Sequence, residues 1–220
     1  MAKAKLVKLL ALTLAIGATL RFVLTKLGWH PPSLDNRLIP ALVLWGIFSL
    51  FWSIEGLDSA PAKSSESWAS TYFHQFTLVA AFLLLILPVP GLTGWFLPPR
   101  LHFLVATGAI VQAGFLLLAV WARRHLGRNW SAEVRIAVDH QLVRTGPYRL
   151  LRHPIYTAML GMFLGTAIAS SQYHALIGLA MLVAAYLRKT RLEEEILRQA
   201  FGADYDAYRR DTWALVPLLF

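Results

Sequence analysis

No cysteine occurs among the 220 residues. Disulfides, thiolate metal sites and cysteine nucleophiles are therefore excluded. Charge is scarce as well, at 15% of residues, against roughly 25% in a soluble domain. Acidic side chains are the scarcest: 12 Asp and Glu face 21 Lys and Arg, for a formal net charge of +9. That surplus does not read as a nucleic-acid surface, because the basic residues flank apolar segments and form no polar domain. Basic loops at one face of a membrane explain it better. Also missing are G-x-G-x-x-G after a strand, G-x-x-x-x-G-K-[ST] and H-E-x-x-H. A nucleotide-like cofactor would have to be held without a Rossmann domain or a P-loop. The histidines are dispersed and show no metal-ligand spacing, so no metal site is expected.

What remains is mostly apolar, 57% of the chain. Runs at 9–24, 39–54, 68–87, 101–121, 154–169 and 173–187 approach the roughly 20 residues that cross a bilayer as a helix. The first, preceded by Lys3, Lys5 and Lys8, reads as a span and not as a cleaved leader. Trp45 and Trp52 suit interfacial positions. His74 and Gln75, inside the third run, read as buried polar positions packed on another helix. Pro154 opens the fifth run as a first-turn proline, and Gly161, Gly165 and Ala169 let helices approach closely. The two runs flanking Ser170-Ser171-Gln172 form a tight hairpin that crosses fully or dips partway. From Arg188 the chain turns polar. Leu192, Ile196, Leu197, Ala200, Phe201, Tyr205 and Tyr208 then recur at helical intervals, giving an amphipathic helix broken near Gly202. The expected fold is all-α: a polytopic helical membrane protein of about five to six transmembrane helices, ending in that hairpin and a cytoplasmic amphipathic helix. It is one domain, 1–220, with membrane helices in 1–121 and the chemistry in 122–220. Six crossings would place the basic stretches 1–8, 123–152 and 188–210, with the loop at 56–67, on the cytoplasmic side. Arg21, Lys26 and Arg37 then fall on the other.

Chemistry-bearing side chains concentrate between Arg123 and Tyr156. Arg144, Arg149, Arg152, His125, His140, His153, Tyr148 and Tyr156 all lie there. The acidic run Glu193-Glu194-Glu195 lies beyond the hairpin, so both sets can meet at one end of it. Carboxylates for an ammonium, Arg for a carboxylate and aromatic faces for a sulfonium or other cation together suit an amphoteric small molecule. Each residue also has a plainer reading: basic-loop topology for the arginines, a solvated face for the Glu run, and a helix-start hydrogen bond for His153.

The blocks Leu126-Gly127-x-x-Trp130-Ser131, His140-x-Leu142-Val143 and Gly146-Pro147-Tyr148-Arg149-x-x-Arg152-His153-Pro154-x-Tyr156 resemble the isoprenylcysteine carboxyl methyltransferases and their phospholipid methyltransferase relatives. The later block Glu193-Glu194-x-x-Leu197-x-x-x-Phe201-Gly202-x-x-Tyr205-x-x-Tyr208, with Pro217, is similar to that family's C-terminal block. Ala158 stands where many relatives have Gly, a departure that would narrow the pocket. The resemblance implies a membrane methyltransferase that uses S-adenosylmethionine and takes a lipophilic acceptor from the bilayer. It implies cofactor contacts from His140, Tyr148, Arg152, His153, Pro154, Tyr156, Glu193 and Glu194, with catalytic roles for Arg152, His153 and Glu194. A carboxylate acceptor would need Arg152 to orient it, an amine would need a base such as His153 or Glu194, and a thiol would need thiolate character. The sequence leaves these open. Two other readings compete: an NADPH-dependent sterol-type reductase, and a scaffold or transporter whose basic loop meets lipid headgroups.

Overall fold

A computed structural model describes residues 35–56, 67–87, 89, 92, 94–98, 101, 103–127 and 142–217. The first expected span, His140 and Trp130 lie outside the described residues. Five long helices and a short one follow in order: α1 Ile39–Glu55, α2 Trp68–Ile86, α3 Phe103–Leu126, α4 Pro154–Ser170, α5 Tyr173–Phe201 and α6 Ala203–Arg210. The runs at 39–54, 68–87 and 101–121 thus became helices, the last extended by a basic turn, Arg123, Arg124 and His125. Among the described residues, three helices are long and apolar enough to cross a membrane, at Asn36–Glu55, Ala69–Ile86 and Phe103–Leu126. Their outward faces carry Val43, Ile47 and Leu50, then Phe73, Phe76 and Val79, then Ile110, Leu117 and Trp121. So continuous an apolar surface is stable against lipid and not against water.

The bundle is closed by small residues and one polar chain. A Cβ on Gly108 would sit 2.5 Å from the Gly165 carbonyl oxygen, and one on Gly165 would sit 2.6 Å from that of Gly108. The α3 and α4 backbones therefore touch, as the spacing of small residues predicts. Beside this crossing Trp45 Nε1 donates to Thr166 Oγ1 at 3.0 Å, and Thr166 Oγ1 donates to Gln112 Oε1 at 3.4 Å. Gln112 Nε2 returns to the Ala41 carbonyl at 2.9 Å. Three helices are thereby tied by groups that lipid cannot satisfy. Trp45 is accordingly not interfacial: it is buried in the core against Phe48, Phe82 and Phe163. His74 is buried on α2 with its ring edge-on to Tyr186 of α5, as a packed polar position should be, whereas Gln75 beside it is exposed.

Chain direction alternates among the described helices, so one end collects the described parts of the basic stretches at 123–152 and 188–210. There Arg123 Nη2 donates to the Glu55 carbonyl at 2.6 Å, and Arg188 Nη2 donates to Ser70 Oγ at 2.5 Å. Arg37 lies at the opposite end, where it donates to the Ser170 carbonyl at 2.7 Å, pairs with Asp35 and covers the Trp95 ring. It caps the end of α4, which accounts for an arginine on the otherwise less basic side.

One boundary differs from the sequence reading. The hairpin's second arm and the amphipathic segment are a single 29-residue helix, α5. At 1.5 Å per residue it is about 43 Å long, beyond the roughly 30 Å of a hydrocarbon core. Its last turns therefore stand clear of the bilayer, still in register with the buried part. The break falls where expected, at Gly202, with φ +52°.

Candidate active site

Pro154 is the first residue of α4, and His153 is its N-cap, with no capping hydrogen bond from its side chain. The plain reading of His153 as making a helix-start hydrogen bond through its side chain therefore fails. Its imidazole turns to α5 instead, with Nδ1 3.2 Å from Glu193 Oε2 and Nε2 3.5 Å from Glu194 Oε1. Next to it Arg152 Nε donates to Glu194 Oε1 at 2.7 Å. Arg209 of α6 reaches the other Glu194 oxygen at 3.5 Å. The Arg-His-Pro segment and the Glu-Glu turn, about 40 residues apart in the chain, meet face to face. Glu195 stays exposed and accepts from Gln199, which leaves it the solvated member of the run.

Aromatic rings wall this cluster. Tyr156 lies flat on His153, with centroids 5.5 Å apart and planes 3° apart, and it also meets the Tyr186 ring at 5.2 Å. Tyr148 is buried nearby with Ala122 and Ile155, in a cluster that Tyr156 also packs against. Its carbonyl accepts from the Tyr208 hydroxyl at 2.6 Å. Of the residues expected to form one pocket, Arg152, His153, Tyr156, Glu193 and Glu194 are thus in mutual contact. Pro154 and Tyr148 shape the backbone and packing beside them.

Several contributors carried no sequence expectation. The segment after α6 folds back alongside the Arg-His-Pro segment: the backbone N–H groups of Arg152 and His153 donate to the carbonyls of Trp213 and Ala214, at 2.8 and 3.1 Å. Trp213 N–H donates to the Leu150 carbonyl at 3.1 Å. Arg152 Nη1 also donates to the carbonyls of Arg209 and Thr212. Tyr186, Lys189 and Thr190 are buried on the α5 face that Glu193 continues. Their spacing of three, four and seven residues from Glu193 was the signal that could have found them.

Electrostatics follow from these partners. Burial opposes the charge on His153, but hydrogen bonds and charges from Glu193 and Glu194 outweigh it and raise its pKa above the ordinary imidazole value. Burial would raise Glu193 as well; His153, Tyr156 and Lys189 overcome it and hold that carboxyl below its usual range. Glu194, also opposed by burial, is pushed down to about 2 by His153 and Arg152. The two carboxylates therefore favour the protonated form of the imidazole held between them. The linkage signs follow. Glu194 has a depressed pKa, so its stabilisation is complete above 4.5 and fades as pH falls toward about 2. His153 has a raised pKa, so its contribution is complete below 6.5 and fades as pH climbs through the raised value. Thermal unfolding in detergent is expected to peak in mild acid and decline on both sides. His153→Gln should flatten the decline on the neutral-to-alkaline side; a wild-type and mutant decline of equal size there would refute the assignment.

Known proteins resemble this chain in sequence and in fold. Residues 103–204 match the family model described as Phospholipid methyltransferase. Protein-S-isoprenylcysteine O-methyltransferase A of Arabidopsis thaliana is 27% identical over 142 residues, covering 63% of this chain and 68% of that protein. The Dictyostelium discoideum protein-S-isoprenylcysteine O-methyltransferase is 26% identical over 159 residues, covering 70% and 65%. A probable protein-S-isoprenylcysteine O-methyltransferase of Oryza sativa subsp. indica is 29% identical over 96 residues, covering 42% of this chain and 50% of that protein. The chain thus spans about half the length of the rice relatives it matches. In fold it resembles the eukaryotic intramembrane Ras methyltransferase ICMT, with a TM-score of 0.53 at 20% identity, over 83% of this chain and 70% of that one. The family resemblance is upheld, over a matched stretch that contains the Arg-His-Pro and Glu-Glu blocks, and so is the helical membrane fold.

Proposed function

We propose that this isoprenylcysteine methyltransferase-like chain transfers a methyl group from S-adenosylmethionine to the carboxylate of a prenylated-cysteine-like lipid acceptor. One observation carries the reading: Arg152 and His153 are locked onto Glu194 and Glu193 beside the stacked Tyr156 ring. The residues present fit the cofactor. Glu193 and Glu194 supply negative charge for an ammonium and a sulfonium, and the Tyr156 and Tyr186 rings offer faces to a cation. Buried hydroxyls near them have no hydrogen-bond partner among the described residues. Tyr156, Glu193 and Glu194 would hold it, Arg152, His153 and Pro154 would fix them in place, and Tyr148 would back the wall. His140, outside the described residues, stays in the proposal on its motif alone. When bound, the cofactor supplies an activated methyl that leaves a neutral thioether behind.

The roles entertained for Arg152, His153 and Glu194 narrow on this geometry. Arg152 spends Nε on Glu194 and Nη1 on the Arg209 and Thr212 carbonyls, so we read it as positioning Glu194 and the tail, not as steering an acceptor. A general base works best with a pKa near the operating pH. Both carboxylates favour the protonated form of His153, which opposes its use as a base, and Glu194 at about 2 is too weak a base to take a proton from an ammonium. A carboxylate acceptor needs none, which favours it over an amine; positioning then supplies most of the rate. The catalytic region would be 122–220, with the preceding helices admitting a lipophilic substrate and the basic end facing the cytoplasm.

The test is titration of detergent-purified protein with S-adenosylhomocysteine and, in parallel, with NADPH. It is paired with methyl transfer to S-farnesylcysteine, its methyl ester and phosphatidylethanolamine. Saturable binding of S-adenosylhomocysteine alone, with methylation of the free acid only, is the expected result. NADPH binding, or methylation of the amine lipid alone, would sink the reading.

A further inference from the structure

Two hydroxyls beside the ion cluster are buried without a hydrogen-bond partner among the described residues: Tyr205 Oη and Thr190 Oγ1. Tyr205 is 1% exposed and Thr190 0%. Buried hydroxyls almost always find a partner in the protein, in water or in a ligand, and each exception calls for an explanation. Their positions supply one. Thr190 precedes Glu193 and Glu194 by three and four residues on α5, so the three share a helix face. Tyr205 is on α6, the helix whose Arg209 reaches Glu194 and whose Arg209 carbonyl accepts from Arg152. Burial, then the charge of Glu194, holds the Tyr205 hydroxyl above the ordinary tyrosine value, so it stays a donor. Tyr208, one turn on, is the internal contrast, because its hydroxyl donates to the Tyr148 carbonyl at 2.6 Å.

We propose that the hydroxyls of Tyr205 and Thr190 are completed by the bound cofactor, hydrogen-bonding the carboxylate of its amino-acid end. This rests on the methyltransferase reading. An α-amino-acid group brings one ammonium and one carboxylate. Glu193 and Glu194 suit the ammonium. The guanidinium groups nearest them are engaged, Arg152 with Glu194 and two tail carbonyls, and Arg209 with Glu194. Buried hydroxyl donors complete the set for the carboxylate, because Tyr205 Oη and Thr190 Oγ1 stand without a hydrogen-bond partner among the described residues on the two helices that carry Glu194 and Arg209.

The experiment uses the full chain in detergent and the variants Tyr205→Phe, Thr190→Val and Tyr208→Phe. It reads ligand-free melting temperature, and affinity for S-adenosylhomocysteine and for methylthioadenosine, which lacks the amino-acid end. Removing an orphaned hydroxyl should leave the ligand-free melting temperature unchanged or higher, whereas Tyr208→Phe should lower it. Tyr205→Phe and Thr190→Val should each weaken S-adenosylhomocysteine binding roughly tenfold, the scale of a lost hydrogen bond to a charged group, and leave methylthioadenosine affinity alone. Wild-type affinity for S-adenosylhomocysteine in both variants would overturn the proposal. So would an equal loss for methylthioadenosine, or a melting temperature that falls as in Tyr208→Phe. Absence of S-adenosylhomocysteine binding in the wild type would instead remove the methyltransferase reading and this inference together. If Tyr205→Phe does not fold, Thr190→Val decides.

Discussion

Arg152→Ala is expected to abolish S-adenosylhomocysteine binding and to destabilise the folded protein by roughly 3–5 kcal/mol, the scale of removing one partner from a buried ion pair. Three structures meet on this residue, two of them through its side chain. Its Nε holds Glu194 of α5 at 2.7 Å, its Nη1 holds the carbonyls at the end of α6, and its own backbone N–H holds Trp213 of the tail at 2.8 Å. With side-chain exposures of 8% for Arg152 and 13% for Glu194, water can do little to replace the lost partner. Glu194 would be left to His153 and to the exposed Arg209. Arg152→Lys should rescue little, because an ammonium cannot reach a carboxylate on one side and two carbonyls on the other with fixed fork geometry. Glu194→Gln keeps a hydrogen-bond acceptor for Arg152 and should cost less stability than Arg152→Ala while still weakening binding. Calorimetric titration and melting curves for the three variants check this. A Lys variant that binds and melts like wild type would show that the fork is not what organises the site.

How much of this could be read from the chain depends on which signals are local. Hydropathy located α1 to α3 because apolar runs and helices share boundaries when lipid is the solvent. The same signal misled at Arg188: polarity changes there, but the hydrogen-bonding period does not, so α5 runs on to Phe201. Pro154 and Gly202 were legible because each constrains its own backbone. The meeting of His153 with Glu193 followed from the hairpin, since two segments flanking one tight turn return to the same end. The pairing of Trp213 and Ala214 with Arg152 and His153 was not legible, because backbone hydrogen bonds leave no mark on residue type. Trp45 was misplaced, and Arg37 left without a role, for a related reason. Charge and aromaticity give an average depth, whereas the Ser170 carbonyl and the Thr166 hydroxyl that hold them are single partners far off in sequence.

The remaining large effect is in the membrane part, where Gly165→Ala should destabilise the protein strongly for the addition of a single methyl group. Its Cβ would lie 2.6 Å from the Gly108 carbonyl oxygen and 2.8 Å from the Gln112 backbone nitrogen. Both are backbone atoms, so relief requires α3 and α4 to separate along their length. Separation would strain the Trp45–Thr166–Gln112 chain alongside, whose hydrogen bonds have no water to fall back on. Overpacking usually costs about 1–3 kcal/mol, and this coupling puts Gly165→Ala at the upper end. Gly114→Ala on the same α3 is the control: a Cβ there meets nothing within 4 Å, and alanine's better helix propensity favours the variant by up to about 1 kcal/mol. Melting curves should therefore move in opposite directions for two substitutions of identical chemistry. Because α4 begins at Pro154, a shifted α4 would also carry His153 off Glu193, so Gly165→Ala should weaken S-adenosylhomocysteine binding from a position near the far end of that helix. Unchanged binding in folded Gly165→Ala protein would mean that the tail's hydrogen bonds to Arg152 and His153, and not the helix crossing, set where the site stands.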